Sequence, residues 1–221
     1  MEETIKIFIY IHAFFGGLGL ITGMGSIMVK KGSKPHKKMG KLFSIGMITS
    51  SLISIPISWL PNHENIFLFL IGLFTVYLVI SGNQILTFKS KSKLQAKPVD
   101  KIISGSMLLI SALMTLYGAY GISSGNMGYM LFIFFGGFGL SLTIRDFVFY
   151  KNFTKTNNGW LSNHIGKMVG AFIASITAFI VAGLGIGNLI AWIVPSVLGT
   201  IYIIYWRRKL KTKAVVSLPK S

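Results

Sequence analysis

The chain holds four histidines, five carboxylates and no cysteine, so any chemistry must come from a short roster of side chains. His36 and His164 are the first pair to consider. Each stands at the mouth of an apolar run and is followed by Gly-Lys, as Gly40-Lys41 and Gly166-Lys167. Two imidazoles at one depth can ligate a haem iron or a metal ion, or carry protons. No carboxylate pair accompanies them, and two ligands alone make a poor metal site. His12 lies inside the first apolar run and shares a helical face with Gly16, Gly19 and Gly23. A histidine beside a glycine groove can admit a flat porphyrin or quinone ring. The plainer alternative is a hydrogen bond to a neighbouring helix. Asn83, Gln84, Arg145, Asp146 and Lys167 fall at a similar depth to His36 and His164 and form a candidate polar inner site. Arg145 and Asp146 point about 100° apart on a helix, so each needs a partner elsewhere. The plainer reading of this set is interfacial anchoring. His63, in Pro61-Asn62-His63-Glu64, reads as a solvated turn residue.

Several chemistries drop out. Without cysteine there is no thiol catalysis, disulfide or Cys-ligated cluster. No Ser-His-Asp arrangement, HExxH helix or phosphate loop is present. Gly17-Leu18-Gly19 lies within an apolar run and follows no soluble strand, which argues against dinucleotide binding. Glu2, Glu3 and Glu64 sit away from the basic loops, so paired-carboxylate hydrolysis is disfavoured. The balance is against an enzyme.

The elements that must position these residues follow from composition. Hydrophobic residues make up 52% of the 221 and charged residues 12%, against about 25% charged in soluble domains. Mean hydropathy is +0.66. Seven apolar runs are long enough to cross a bilayer, at 5–29, 41–60, 66–88, 102–122, 127–149, 165–186 and 189–206. They are apolar all round and do not alternate, which favours helices over a barrel. The expected fold is all-α: an integral membrane bundle of seven transmembrane helices in a single domain, 1–210, followed by a basic tail, 211–221. The net charge of +17 is segregated, since 21 of the 22 lysines and arginines fall in alternate connections and the tail, leaving only Lys6 opposite. Basic residues stay on the cytoplasmic side during insertion. The N-terminus is therefore expected outside and the C-terminus in the cytoplasm, in a bacterial cytoplasmic membrane. The same distribution points to lipid as the partner and away from nucleic acid. The acidic start, Met1-Glu2-Glu3, with no small-residue cleavage site after the first run, implies that this run persists as a helix.

Phe14-Phe15-Gly16-Gly17-Leu18-Gly19-Leu20 recurs as Phe134-Phe135-Gly136-Gly137-Phe138-Gly139-Leu140. This suggests a parallel internal repeat of helices 1–3 and 5–7, with coincidence in a Gly- and Phe-rich chain as the alternative. Gly16, Gly19 and Gly23 in the first run, and Gly166, Gly170 and Ala174 in the sixth, form small-residue stripes. They are expected to pack helices closely, or to form a flat wall for a cofactor or lipid tail. Pro56 and Pro195 are expected to kink the second and seventh spans.

Further features are Trp160-Leu161-Ser162-Asn163-His164-Ile165-Gly166-Lys167-Met168, the Pro195–Thr200 segment, and Tyr205-Trp206-Arg207-Arg208-Lys209. Together with His12, His36, Lys38, Gly40 and Arg145-Asp146, they resemble a bacterial family of multi-pass membrane proteins known as a domain of unknown function. The resemblance spans nearly the whole chain and implies a plasma-membrane helical bundle, but supplies no activity. Three readings then stand. The first is a non-catalytic accessory or assembly protein with a membrane-protein partner or a second copy of itself. The second is a haem-binding or redox protein holding haem b through His36 and His164, or through His12. The third is a transporter or channel for a proton, ion or small solute.

Overall fold

A computed structural model describes residues 2–60, 62–90, 93–155 and 158–216. Among these residues there are seven long helices and no strand. They are α1 (Glu2–Met28), α2 (Lys34–Ile57), α3 (Ile66–Gln84), α4 (Pro98–Ser123), α5 (Met130–Asn152), α6 (Gly159–Ala178) and α7 (Leu189–Val216). Each carries or begins a candidate span of 21 to 26 residues, and about 20 suffice for a hydrocarbon core. The chain is a multi-pass helical membrane protein.

The helices begin at their caps, upstream of the apolar runs. Ser33 caps α2, its Oγ accepting from the His36 N–H at 3.3 Å, with Pro35 in the first turn. Hence α2 starts seven residues before the run at 41. The Asp100 carboxylate accepts from the Lys97 N–H at 2.8 Å and starts α4 at Pro98. The turn between the sixth and seventh spans has two devices. The end of α6 widens into a π turn over Phe179–Gly183, closed by Gly185 at φ 69°. Asn188 then caps α7 through its Oδ1, 2.9 Å from the Ala191 N–H. Helix α2 stops one residue after Pro56, whereas α7 runs through Pro195 and on to Val216, into the segment expected as tail.

The chain divides into two compact units, residues 1–83 with 162–221, and residues 84–161. In the first unit, α1 and α2 lie against each other. A β-carbon on Gly46 would come within 2.8 Å of the Phe15 carbonyl oxygen and 2.9 Å of the Gly19 nitrogen. Gly16 faces Ser50, Gly19 faces Met47, and Gly23 faces Phe43 and Phe172. On α6, Gly170 faces Leu78, while Ala171 and Ala174 are buried. Both small-residue stripes therefore work inside this unit, bringing backbones together where no hydrophobic effect separates helix from lipid. In the second unit α4 packs on α5, with Gly136 against the Ser111 carbonyl and Gly118 against Ile133. Its basic end is closed by Phe88, Phe149, Tyr150, Phe153 and Trp160.

The two copies of the glycine motif behave alike locally. Gly16 and Gly136 both meet a neighbouring helix, and Gly17 and Gly137 both meet nothing within 4 Å. Their described partners differ in order, since α1 packs on the helix that follows it and α5 on the helix that precedes it.

Candidate functional site

In the first unit, five helix ends meet where the basic residues lie. His36, in the first turn of α2, places Nδ1 3.1 Å from the Ser26 carbonyl oxygen of α1. His164, in the second turn of α6, places Nδ1 2.7 Å from the Gly82 carbonyl oxygen of α3. A carbonyl can only accept, so each Nδ1 carries the hydrogen, and in the neutral ring each Nε2 holds the lone pair. His36 lies within electrostatic reach of His164. The α3–α6 approach depends on Gly82, where a β-carbon would stand 2.7 Å from Met168 Sδ and 3.2 Å from Lys167 Cβ.

Lys167 is 2% exposed. Its ammonium donates to the Tyr77 hydroxyl at 2.8 Å and sits 4.4 Å from that ring's centroid. Asn83, on the exposed side of α3, donates to Ser44 Oγ and to the Val79 carbonyl, both at 2.9 Å. Beside Lys167 on α6, Gly166 leaves room for Arg207, whose Nη2 would be 2.8 Å from a β-carbon there.

His12 forms a separate site. Its Nδ1 donates toward the Ser50 carbonyl at 2.9 Å, with Ser50 Oγ at 3.0 Å, and Ser50 Oγ donates back to the His12 carbonyl at 3.0 Å. Fourteen residues separate His12 from Ser26 on α1, about 21 Å along the axis.

In the second unit, Arg145 is exposed and Asp146 is 1% exposed. Asp146 Oδ2 accepts from Ser104 Oγ at 2.7 Å, and Ser104 Oγ lies 2.9 Å from the Tyr150 hydroxyl. That hydroxyl donates to the Asp100 carbonyl at 3.2 Å. The Asp100 side chain pairs with Lys93 at 2.8 Å, and Lys93 Nζ also lies 3.5 Å from the Phe88 ring centroid. Gln84 contributes its carbonyl, which accepts from Thr87 Oγ1 at 2.8 Å.

Of the candidate inner set, His36, His164, Asn83 and Lys167 therefore belong to one end of the first unit. Gln84, Arg145 and Asp146 belong to the second. Sequence reasoning missed the hydroxyl partners Tyr77, Ser50, Ser104 and Tyr150. The last two carried a readable signal: Asp100 and Ser104 on α4, and Asp146 and Tyr150 on α5, are each spaced by four and so share a helix face. Among the described residues no three His, Asp or Glu side chains gather as a metal cluster. Two imidazoles, His36 and His164, would suit a haem iron better than a bare ion. No known protein family, curated protein or solved structure matches the chain.

Proposed function

We propose that the chain is a redox protein of a bacterial cytoplasmic membrane, N-terminus outside, that holds haem b through His36 and His164. The carrying observation is the fixed tautomer of both rings. Each Nδ1–H is held by a backbone carbonyl of a neighbouring helix, and this kind of outer contact orients a ligating imidazole and raises its basicity. Both Nε2 lone pairs then belong to the same end of one unit, on α2 and α6. Haem, if bound there, would supply one-electron transfer. The chain's own part is to fix two rings through their Nδ1–H groups and surround them with packed helices. Lys167 and Tyr77 add a buried polar contact at the same end.

The segregation of basic residues supports the orientation. The small-residue stripes pack against neighbouring helices of the first unit and so offer a partner less. A second reading has its own support. Lys167 and Asp146 are ionisable and buried within spans, the usual mark of an ion or proton path.

The test is a reduced-minus-oxidised difference spectrum of detergent-purified protein, before and after hemin addition. The expected result is a b-type spectrum that is lost in His36→Ala and in His164→Ala and kept in His12→Ala. Protein that takes up no haem overturns the proposal. Proton flux in liposomes that depends on His164 without haem would establish the second reading in its place.

A further inference from the structure

The basic end of α7 carries two ammonium groups around one indole. Lys31 Nζ lies 5.7 Å from the Trp206 ring centroid and 5.9 Å from that of Tyr202, while Lys209 Nζ lies 5.1 Å from Trp206 and 5.6 Å from Tyr205. Lys31 gives two of its three hydrogens to the Ser26 and Ile27 carbonyls at 2.8 and 2.6 Å, which caps α1. Among the described residues neither lysine has a carboxylate partner. The first unit's acidic residues, Glu2, Glu3 and Glu64, all lie at the far ends of its helices. Trp206 Nε1, on the ring that both lysines approach, is buried and completes no hydrogen bond of full geometry. The Tyr202 hydroxyl is the hydrogen-bonding side chain beside it, though not at full hydrogen-bond geometry. A buried N–H whose acceptor is poorly placed is costly, and among the described residues neither ammonium has a counter-charge. One anion relieves both.

The neighbouring face of the helix says which kind of anion. Ile201, Ile204, Tyr205, Arg208 and Lys209 line a shallow groove of about 440 Å³. It is apolar along Ile201 and Ile204 and cationic at Arg208 and Lys209, so its two ends match an acyl chain and a charged headgroup. A free phosphate has no use for the apolar part.

We propose that this end of α7, with Lys31, binds one molecule of an anionic phospholipid. Its phosphate is taken by Lys31, Trp206 Nε1 and Lys209, and an acyl chain lies along Ile201 and Ile204. The site does not depend on haem.

Native mass spectrometry of the full chain in detergent tests this, with phosphatidylglycerol and phosphatidylcholine of matched acyl chains. The wild type should retain one phosphatidylglycerol in preference to phosphatidylcholine. Lys31→Gln and Lys209→Gln should each weaken retention about five-fold, the factor for one cation near an anionic headgroup. Trp206→Phe, which keeps a ring and removes the N–H, should also weaken it. Lys6→Gln, at the far end of α1, should bind as the wild type does. Should Lys31→Gln fail to fold through loss of the α1 cap, Lys209→Gln and Trp206→Phe still decide the matter. Equal retention of both lipids overturns the proposal, as does unchanged binding by these last two variants. Displacement of the lipid by inorganic phosphate alone would identify a free-anion site, which also overturns it.

Discussion

Three glycines in and around the first motif should respond differently to the same methyl group. At Gly46 an added β-carbon meets backbone on α1: the Phe15 oxygen at 2.8 Å, the Gly19 nitrogen at 2.9 Å and the Gly19 α-carbon at 3.1 Å. Ordinary contacts begin near 3.4 Å, so α1 and α2 must part by about 0.6 Å along this seam. A gap of that size forfeits roughly a quarter or more of each affected contact's dispersion well. Overpacking of this kind costs about 1–3 kcal/mol. For a chain of this length that lowers the melting temperature by about 2–12 °C. At Gly19 the methyl's nearest neighbours belong to the Met47 side chain, whose thioether can move aside, and the loss should be under about 1.5 kcal/mol. At Gly17 nothing lies within 4 Å, so alanine contributes only its helix propensity, up to about 1 kcal/mol of stabilisation. With no cysteine, thiol-reactive dyes are useless, but the four tryptophans report unfolding in detergent. The expected order of melting temperature is Gly46→Ala lowest, then Gly19→Ala, then wild type, with Gly17→Ala at or above wild type. A Gly46→Ala protein as stable as wild type, or a Gly17→Ala protein as damaged as Gly46→Ala, would refute the assigned helix seam.

Ser104→Ala should destabilise the second unit by about 1–3 kcal/mol, because Asp146 loses a buried donor; thermal unfolding against Ser106→Ala, at an exposed position, measures the difference. Burial lowers the Lys31 amine below its ordinary 10.5. The unfolded chain therefore binds more protons there than the folded one, and stability rises with pH from that lowered value up to 10.5. Lys31→Gln should flatten this rise in melting scans run from neutral pH to 10.5; an unchanged slope would refute the assignment. Reporter fusions should place Gly32 and the C-terminal tail in the cytoplasm and His63 outside, and any exchange of sides would remove the proposed orientation.

The seven helices were legible because length and apolarity decide the matter in lipid, where every backbone group must bond within its own segment. Their starts were less so. Lys34 and Pro98 belong to helices through Ser33 and Asp100, which act by hydrogen bonding and leave hydropathy unmoved. The histidines were legible as residue types, and the positions of His36 and His164 suggested one depth. Their carbonyl partners were not legible, since Ser26 and Gly82 act through the backbone. The inner polar set was drawn by depth alone. Depth carries no information on helix rotation, so it could not assign Lys167 to Tyr77 or Asp146 to Ser104. Arg145 shows the same limit: it neighbours buried Asp146 in sequence, yet its rotation leaves it exposed.

His36 and His164 are held at one end of the first unit, and low-temperature electron paramagnetic resonance of the oxidised, hemin-loaded protein tests their pairing most directly. Low-spin ferric haem with two nitrogen ligands is expected, turning high-spin when either His36 or His164 becomes alanine. A spectrum without ferric haem, or one that neither substitution alters, would contradict it.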